Sequence, residues 1–166
     1  MRHPIDLSVY LVLDPDLCGG AQGMIETTRA AVQNGATCVQ LRAPHWKKRA
    51  LVECGRALKS VLADFNVPLI INDHADVCLA VDAEGLHVGQ DDLSPLDARA
   101  IIGNEKILGL SVSNTQELAA VDIRLVDHLG IGPIFSTSTK PDASAALGLG
   151  GFAALASRKP CPVVAI

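Results

Sequence analysis

The sequence predicts an α/β fold, a TIM (β/α)8 barrel that is C-terminally truncated within its seventh strand. Short runs rich in β-branched residues alternate with amphipathic stretches along the 166 residues. This order is typical of parallel strands joined by helices, and the runs are apolar throughout, as expected for strands buried on both faces. Neither a dinucleotide-binding glycine motif nor a P-loop is present, which favours a barrel over an open sheet.

Each predicted strand is one of these apolar runs. The strands are placed at Ser8–Leu13, Thr37–Leu41, Pro68–Ile71, Gly85–Val88, Ile107–Val112, Leu125–Ile131 and Pro162–Ile166. We expect one domain over residues 1–166, incomplete because strand 8 and its flanking helices are missing. Two open parallel edges would then remain, so we expect the chain as given to be inactive alone and prone to association.

The helices between the strands are indicated by spacing and by signals at their ends. Residues 46–64 carry apolar side chains at intervals of three and four, which predicts one long helix. Asn34 and Gly35 are typical of a helix end. Ser94 followed by Pro95 is typical of a helix start, because serine caps the first turn and proline fits it.

Composition excludes several classes of protein. The net charge of −4 argues against nucleic acid or an anionic membrane as the main partner. No apolar run approaches the roughly 20 residues of a membrane-spanning helix. Five scattered cysteines without a C-x-x-C pair indicate free thiols in a reducing, cytoplasmic environment. The predicted partners are small molecules, and a homo-oligomer is left open.

Two aspartates follow neighbouring strands where each strand ends. Asp73 comes after the third predicted strand and Asp92 after the fourth. Because parallel strands deliver their carboxyl ends to one face, the two carboxylates could hold one Mg²⁺, with water and phosphate oxygens completing the octahedron. The alternative is that each aspartate only caps the helix that follows it.

The stretch from residue 132 to residue 150 has no periodicity and is predicted to be a functional loop. Its hydroxyls, Thr137 and Thr139 among them, and its cation Lys140 suit a phosphate or pyrophosphate, although a solvated loop fits equally well. Arg42, after the second strand, would add a forked donor, or would lie on the surface.

Two further features are interpreted as structural. His87 lies inside the fourth strand, where a hydrogen-bonded core histidine is favoured over a catalyst. The turn Gly148–Gly151 is predicted to precede a short helix, and its amides could reach an anion, although a plain flexible helix entry fits equally well.

Segments spread over nearly the whole chain resemble the thiamine phosphate synthase family. They are Gln40–Arg42, Ile71–Asp73, Gly85–Asp92, Gly109–Val112, Gly130–Lys140, Gly148–Gly151 and Pro162–Ile166. The resemblance implies a TIM-barrel transferase of thiamine biosynthesis. Such an enzyme joins hydroxymethylpyrimidine diphosphate to thiazole phosphate, and releases thiamine phosphate and pyrophosphate, by a dissociative mechanism assisted by Mg²⁺.

The resemblance also implies roles for individual residues. Asp73 and Asp92 would bind Mg²⁺, whereas Arg42, Asn72 and Lys140 would bind the pyrophosphate. A departing pyrophosphate needs charge neutralisation more than it needs a general base. The substrate-binding residues implied are Gln40, Arg42, Asn72, Ser111, Thr137, Thr139 and Lys140, of which Arg42, Ser111 and Lys140 would be catalytic.

Within this set the pyrimidine and the thiazole phosphate have separate contacts. Gln40 would contact the pyrimidine, and Thr137 and Thr139 would lie on the thiazole phosphate side. Ser111 would lie near the pyrophosphate.

Three positions depart from the family pattern. Pro44 and His74 stand where a lysine and an arginine are usual, and Ser113 replaces a common histidine. The alternatives are a truncated or decayed, non-catalytic homologue, or a thiazole tautomerase-like protein of the same superfamily. The tautomerase lacks the paired aspartates and uses a histidine near the end of strand 5, so the synthase is favoured.

Overall fold

A computed structural model describes residues 5–137, 139 and 144–166. The described part contains one sheet of seven parallel strands that stand in sequence order. The strands are β1 Tyr10–Leu13, β2 Cys38–Leu41, β3 Leu69–Asn72, β4 Gly85–Val88, β5 Ile107–Val112, β6 His128–Ile131 and β7 Val163–Ala165. The predicted α/β barrel is confirmed.

Helices lie between the strands and return the chain to the start of the next strand. They are α1 Pro15–Cys18, α2 Gly20–Gln33, α3 Lys48–Ala63, α4 Ala75–Val81, α5 Pro95–Ile102, α6 Thr115–Ala119 and α7 Gly148–Ala156. The predicted start of α5 is confirmed, because the Ser94 hydroxyl accepts a hydrogen bond from the Asp97 amide. Residues 148–151 form the first turn of α7 itself, so the prediction that they precede the helix is wrong.

The sixth strand begins later than its apolar run predicts. Leu125 lies in a turn, with its amide donating to the Asp122 carbonyl at 2.9 Å. The strand starts only at His128, after Asp127 has been bonded to the neighbouring strand. An apolar run therefore overestimates a strand when its first residues lie in a turn, as here, where the Leu125 carbonyl accepts a hydrogen bond from Arg99 of α5 instead of from a neighbouring strand.

Side chains alternate between two separate cores, as the period of a strand requires. The larger core lies between the sheet and the helices, and the smaller core lies inside the barrel around Cys38, Ile70 and Ile107, with Ile5 and Tyr10 against them. The strand residues of the larger core include Leu13, Val39, Leu41, Leu69, Ile71, Leu86, Val88, Leu108, Leu110, Val112, Leu129 and Ile131.

A polar group of side chains occupies the barrel interior beside this small apolar core. Gln40 Nε2 donates to the Tyr10 hydroxyl at 2.8 Å. The His128 ring lies 5.8 Å from the Tyr10 ring and 5.5 Å from the His87 ring. His128 is fully buried, and neither of its ring nitrogens has a hydrogen-bond partner among the described residues. Burial lowers the pKa of His128 to about 4, against the opposing charge of Asp127.

A buried ion pair ties the outer helix layer to the sheet at the opposite end of the barrel. Arg99 of α5 and Asp127 are 4% and 2% exposed, and their Nη2 and Oδ2 atoms lie 2.5 Å apart. The same carboxylate oxygen accepts the Leu108 amide at 2.9 Å. The remaining Arg99 nitrogens donate to the backbone carbonyls of Gly103, Lys106 and Leu125.

We expect Asp127→Asn to lower the free energy of unfolding by about 3–5 kcal/mol, because it leaves the Arg99 charge buried without a counter-charge. Asp76→Asn is the matched control. Asp76 pairs with Lys48 at 2.6 Å, but both side chains are more than half exposed, so its loss should cost less than about 1 kcal/mol. Urea unfolding measures both, and equal losses would contradict the distinction.

Stability should fall as the pH falls through the range set by His128. In the unfolded chain an imidazole titrates near its ordinary pKa, so unfolding takes up a proton between that value and about pH 4. The stabilisation is full above the ordinary value and is lost on acidification. We expect the native protein to lose about 2 kcal/mol more between pH 7.5 and pH 5 than the His128→Phe variant loses. Parallel pH dependences by urea unfolding would contradict this.

Candidate active site

The two predicted metal-binding aspartates lie at neighbouring strand ends. The Asp73 amide donates to the His87 carbonyl at 2.8 Å, which fixes the residue after β3 against β4. Asp92 Oδ2 accepts the Gly89 amide at 2.8 Å, so its carboxylate returns to the first residue after β4. The barrel therefore brings both acids to the same part of its carboxyl-end face.

Neither aspartate occupies the cap position of the helix that follows it. The N-cap residue of α4 is His74, and that of α5 is Ser94. Asp73 has a φ of 62°, in the left-handed region that aspartate tolerates better than most residues. Backbone in sparsely populated regions clusters at functional sites, where the surrounding structure holds it in place.

The sequence predicts two carboxylate ligands for a cation at this end of the barrel, Asp73 and Asp92. Over the described ranges, with their gaps at 138 and 140–143, no group of three or more His, Cys, Asp or Glu residues could hold a metal ion. Mg²⁺ is usually bound by one or two protein carboxylates together with water and phosphate oxygens, so the donor set of Asp73 and Asp92 fits Mg²⁺ in the presence of a phosphorylated ligand.

Arg42 lies on the same face, directly after β2. Its Nη1 donates to the Thr139 carbonyl at 3.2 Å and lies 3.6 Å from Asp14 Oδ2. The side chain is 17% exposed, so Arg42 is held at the mouth of the barrel. The alternative of a free surface arginine does not fit this position.

Ser111 is held from two sides at the end of the barrel interior. Its hydroxyl lies 2.9 Å from His87 Nε2, and its carbonyl accepts the Gln90 side-chain amide at 2.6 Å. The expectation that His87 is a hydrogen-bonded core residue is confirmed. The sequence did not indicate that its partner is Ser111, nor that Gln90 takes part, because both contacts join residues more than 20 positions apart.

The remaining predicted substrate-binding residues differ in how deeply their side chains are buried. Gln40 is almost fully buried and reaches Tyr10 inside the barrel. Asn72 is half-buried at the end of β3. Thr137 is exposed, and its hydroxyl lies 2.9 Å from that of Thr139 and accepts the Thr139 amide. Lys140 lies outside the described residues.

The three departures from the family pattern lie on this face. Burial and the charge of Lys48 lower the pKa of His74, against the charges of Asp76 and Asp92, so His74 adds little positive charge at neutral pH. The Lys48 ammonium is itself paired with Asp76. Ser113 binds Glu117 through its amide and its hydroxyl. Because residue 113 is a serine, the end of β5 lacks the histidine expected of a tautomerase-like protein.

Fold and site together define a TIM-barrel protein whose carboxyl-end face gathers two carboxylates, a guanidinium and several hydroxyls. The model of the thiamine monophosphate synthase family matches residues 9–166. The chain belongs to this family, and the prediction of a transferase in thiamine biosynthesis is confirmed.

Curated relatives agree with the family match. The thiamine-phosphate synthase of Xanthobacter autotrophicus is 55% identical over 148 residues, which cover 89% of this chain and 70% of that protein. The thiamine-phosphate synthase of Laribacter hongkongensis is 49% identical over 166 residues, covering 100% of this chain and 78% of that protein.

Solved structures give the same fold. The thiamine phosphate pyrophosphorylase from Pyrococcus furiosus superposes with a TM-score of 0.83 at 29% identity, over 96% of this chain and 74% of that chain. A dihydrodipicolinate synthase from Bacillus anthracis superposes with a TM-score of 0.57 at 13% identity, over 98% of this chain and 71% of that chain, which shows the shared barrel alone.

Within the described residues, no helix has the length and apolarity needed to cross a membrane.

Gly109 provides the space in which the interior imidazoles lie, and a side chain there should disturb the site. A Cβ atom at Gly109 would overlap His87 Nδ1 and would lie 2.5 Å from His128 Nε2. We expect Gly109→Ala to cost about 1–3 kcal/mol of stability and to move His87 away from Ser111.

Gly130→Ala is the milder control, because its Cβ would come no closer than 3.1 Å, to His87 Cε1. Urea unfolding and the NMR signals of the His87 ring nitrogens measure both effects. A Gly109→Ala variant that keeps native stability and native imidazole signals would show that the interior has room to spare.

Proposed function

We propose that the chain transfers the hydroxymethylpyrimidine group from its diphosphate to thiazole phosphate, giving thiamine phosphate and pyrophosphate. One observation carries the proposal: Asp73 directly follows β3, Asp92 is bonded back to the first residue after the adjacent strand β4, and neither is a helix cap. The choice of reaction is supported by three relatives that are thiamine-phosphate synthases, with 49–55% sequence identity to this chain. The proximity of Arg42 to this end of the barrel supports the binding of a polyanion there.

The diphosphate is the part of the substrate that this face is built to hold. Arg42 contributes a fixed positive charge after β2, and Asn72 contributes an amide at the end of β3. Lys140, outside the described residues, is proposed as a second cation, and Thr137 and Thr139 are proposed to face the thiazole phosphate. Hydroxyls and amides suit the phosphate oxygens, which accept hydrogen bonds only.

The pyrimidine ring is proposed to enter the barrel interior. Gln40 lies there with donor and acceptor groups that can pair with an aminopyrimidine edge, and the Ser111 hydroxyl is held by His87. The residues around these two are largely buried, so water is kept from the reacting carbon.

The reaction is proposed to be dissociative. The bond between the pyrimidine methylene carbon and the diphosphate oxygen breaks, and the electron pair leaves with the oxygen. The nitrogen of the thiazole ring then donates its lone pair to the carbon, which forms the new bond without transfer of a proton. Arg42, Asn72 and Lys140 stabilise the charge that develops on the leaving group.

Asp73 and Asp92 would hold Mg²⁺, which supplies charge neutralisation of the diphosphate when it is bound. We place the enzyme in the cytoplasm, because all five cysteines are free thiols. Thiols of this kind suit a reducing compartment.

Turnover of the purified protein with both substrates tests the function directly. We expect thiamine phosphate to form only with Mg²⁺, and Asp73→Asn and Asp92→Asn each to lower kcat/KM by a factor of about 100 or more, since a metal ligand is lost. Asp91→Asn is the control, because Asp91 is an exposed neighbour with the same charge. Full turnover in excess chelator would disprove the metal role, and full turnover by both aspartate variants would disprove the assignment of the site.

A further inference from the structure

Asp14 and Arg42 are neighbours by strand register at the mouth of the barrel. Leu13 pairs with Leu41, and the Arg42 amide donates to the Leu13 carbonyl at 3.1 Å, so the two residues that follow these strands come side by side. Asp14 Oδ2 lies 3.6 Å from Arg42 Nη1, and the two side chains are only 14% and 17% exposed. Solvent therefore screens this ion pair only in part.

Among the described residues, the hydrogen bond and the ion pair of the Arg42 side chain both use the same nitrogen. Nη1 faces Asp14 and donates to the Thr139 carbonyl, whereas Nε and Nη2 make no hydrogen bond to any described residue. Nε and Nη2 form one flat edge of the guanidinium, and two parallel N–H groups match two oxygens of a phosphate. Arg42 is thus held by one corner, with a bidentate edge left to bind.

The Asp14 carboxylate is itself held in place by a backbone hydrogen bond. Its Oδ1 accepts the Asp16 amide at 2.9 Å and so caps α1, while Pro15 is buried behind it. A negative charge at this place repels a diphosphate. Asp14 can therefore favour such a substrate only through its effect on Arg42.

We propose that Asp14 is a positioning residue that holds the Arg42 guanidinium with Nε and Nη2 directed at the diphosphate of the substrate. The inference rests on the proposed function, because it takes the diphosphate as the ligand of Arg42. Asp14 would thus assist the binding of the diphosphate, although its own carboxylate repels that group.

The decisive variant is Asp14→Asn, because positioning and simple charge repulsion predict opposite results. If Asp14 orders Arg42, its loss should raise KM for the pyrimidine diphosphate about three- to tenfold, as expected for one side chain that must be immobilised on binding. KM for thiazole phosphate and kcat should change less than about twofold. If Asp14 only repels the substrate, KM should fall.

Three further variants make the result specific. Asp16→Asn removes the same charge from an exposed neighbour that has no contact with Arg42 among the described residues, and it should leave KM unchanged. Asp14→Ser keeps a capping hydroxyl for α1 but cannot reach Arg42, so it should behave as Asp14→Asn even if the asparagine variant folds poorly. In an Arg42→Ala background, Asp14→Asn should raise KM no further.

Calorimetric binding of pyrophosphate with Mg²⁺ separates the inference from the proposed function. Weaker binding to Asp14→Asn and Asp14→Ser, with native melting temperatures, supports positioning even if the native protein forms no thiamine phosphate. Native turnover together with an unchanged or lowered KM in both variants would overturn the role of Asp14 and leave the function standing.

Discussion

The common direction of the seven strands is the constraint on which the rest of the structure depends. Each of the first six strands is followed by at least one helix that returns the chain to the opposite end, so all seven parallel strands deliver their carboxyl ends to one face. Residues that are far apart in sequence, such as Asp14, Arg42, Asp73 and Ser111, lie at the same end of the barrel for this reason. The Arg99–Asp127 pair secures the opposite face, where α5 must stay in register with β5 and β6 for the strand ends to align.

The barrel interior reconciles two requirements that oppose each other. A parallel barrel of this size is filled by side chains, and apolar side chains would fill it at the least cost in desolvation. Part of this interior is nevertheless polar, with Gln40, His87 and His128 close together and a glycine at position 109 to make room. Such a group is unfavourable for stability, because both ring nitrogens of His128 are buried without a hydrogen-bond partner among the described residues.

Much of the fold could be predicted because it is encoded locally. The strands β4 and β5 match their apolar runs residue for residue, and the start of α5 follows from Ser94 and Pro95. The predictions failed where a distant contact decides the outcome. Local composition suggests a turn at residues 148–151, yet the Gly148 amide donates to the Ile134 carbonyl and the residues enter α7.

The candidate site likewise contains residues that the sequence predicts and contacts that it does not predict. The strand-end aspartates were visible in the sequence, because position after an apolar run identifies them. Whether they cap helices or face a ligand could not be decided locally, since both outcomes use the same residue type. The structure excludes the capping alternative, because His74 and Ser94 take the cap positions, and the metal role stays a prediction. The contact between Ser111 and His87 depends on barrel closure and has no local signal.

The hydrogen bond from the Gly89 amide to Asp92 has a consequence for how this chain can diverge. It closes residues 89–92 into a small ring, and the spacing of that ring sets where the second carboxylate stands. Loops at the ends of strands normally accept insertions and deletions, particularly where they are exposed as Gln90 and Asp91 are. Here the number of intervening residues cannot change, because one residue more or less would carry the carboxylate away from Asp73. Asp91 can change in kind, whereas the Gln90 side chain donates to the Ser111 carbonyl. Homologues should therefore vary in composition at position 91 while keeping the length of this loop.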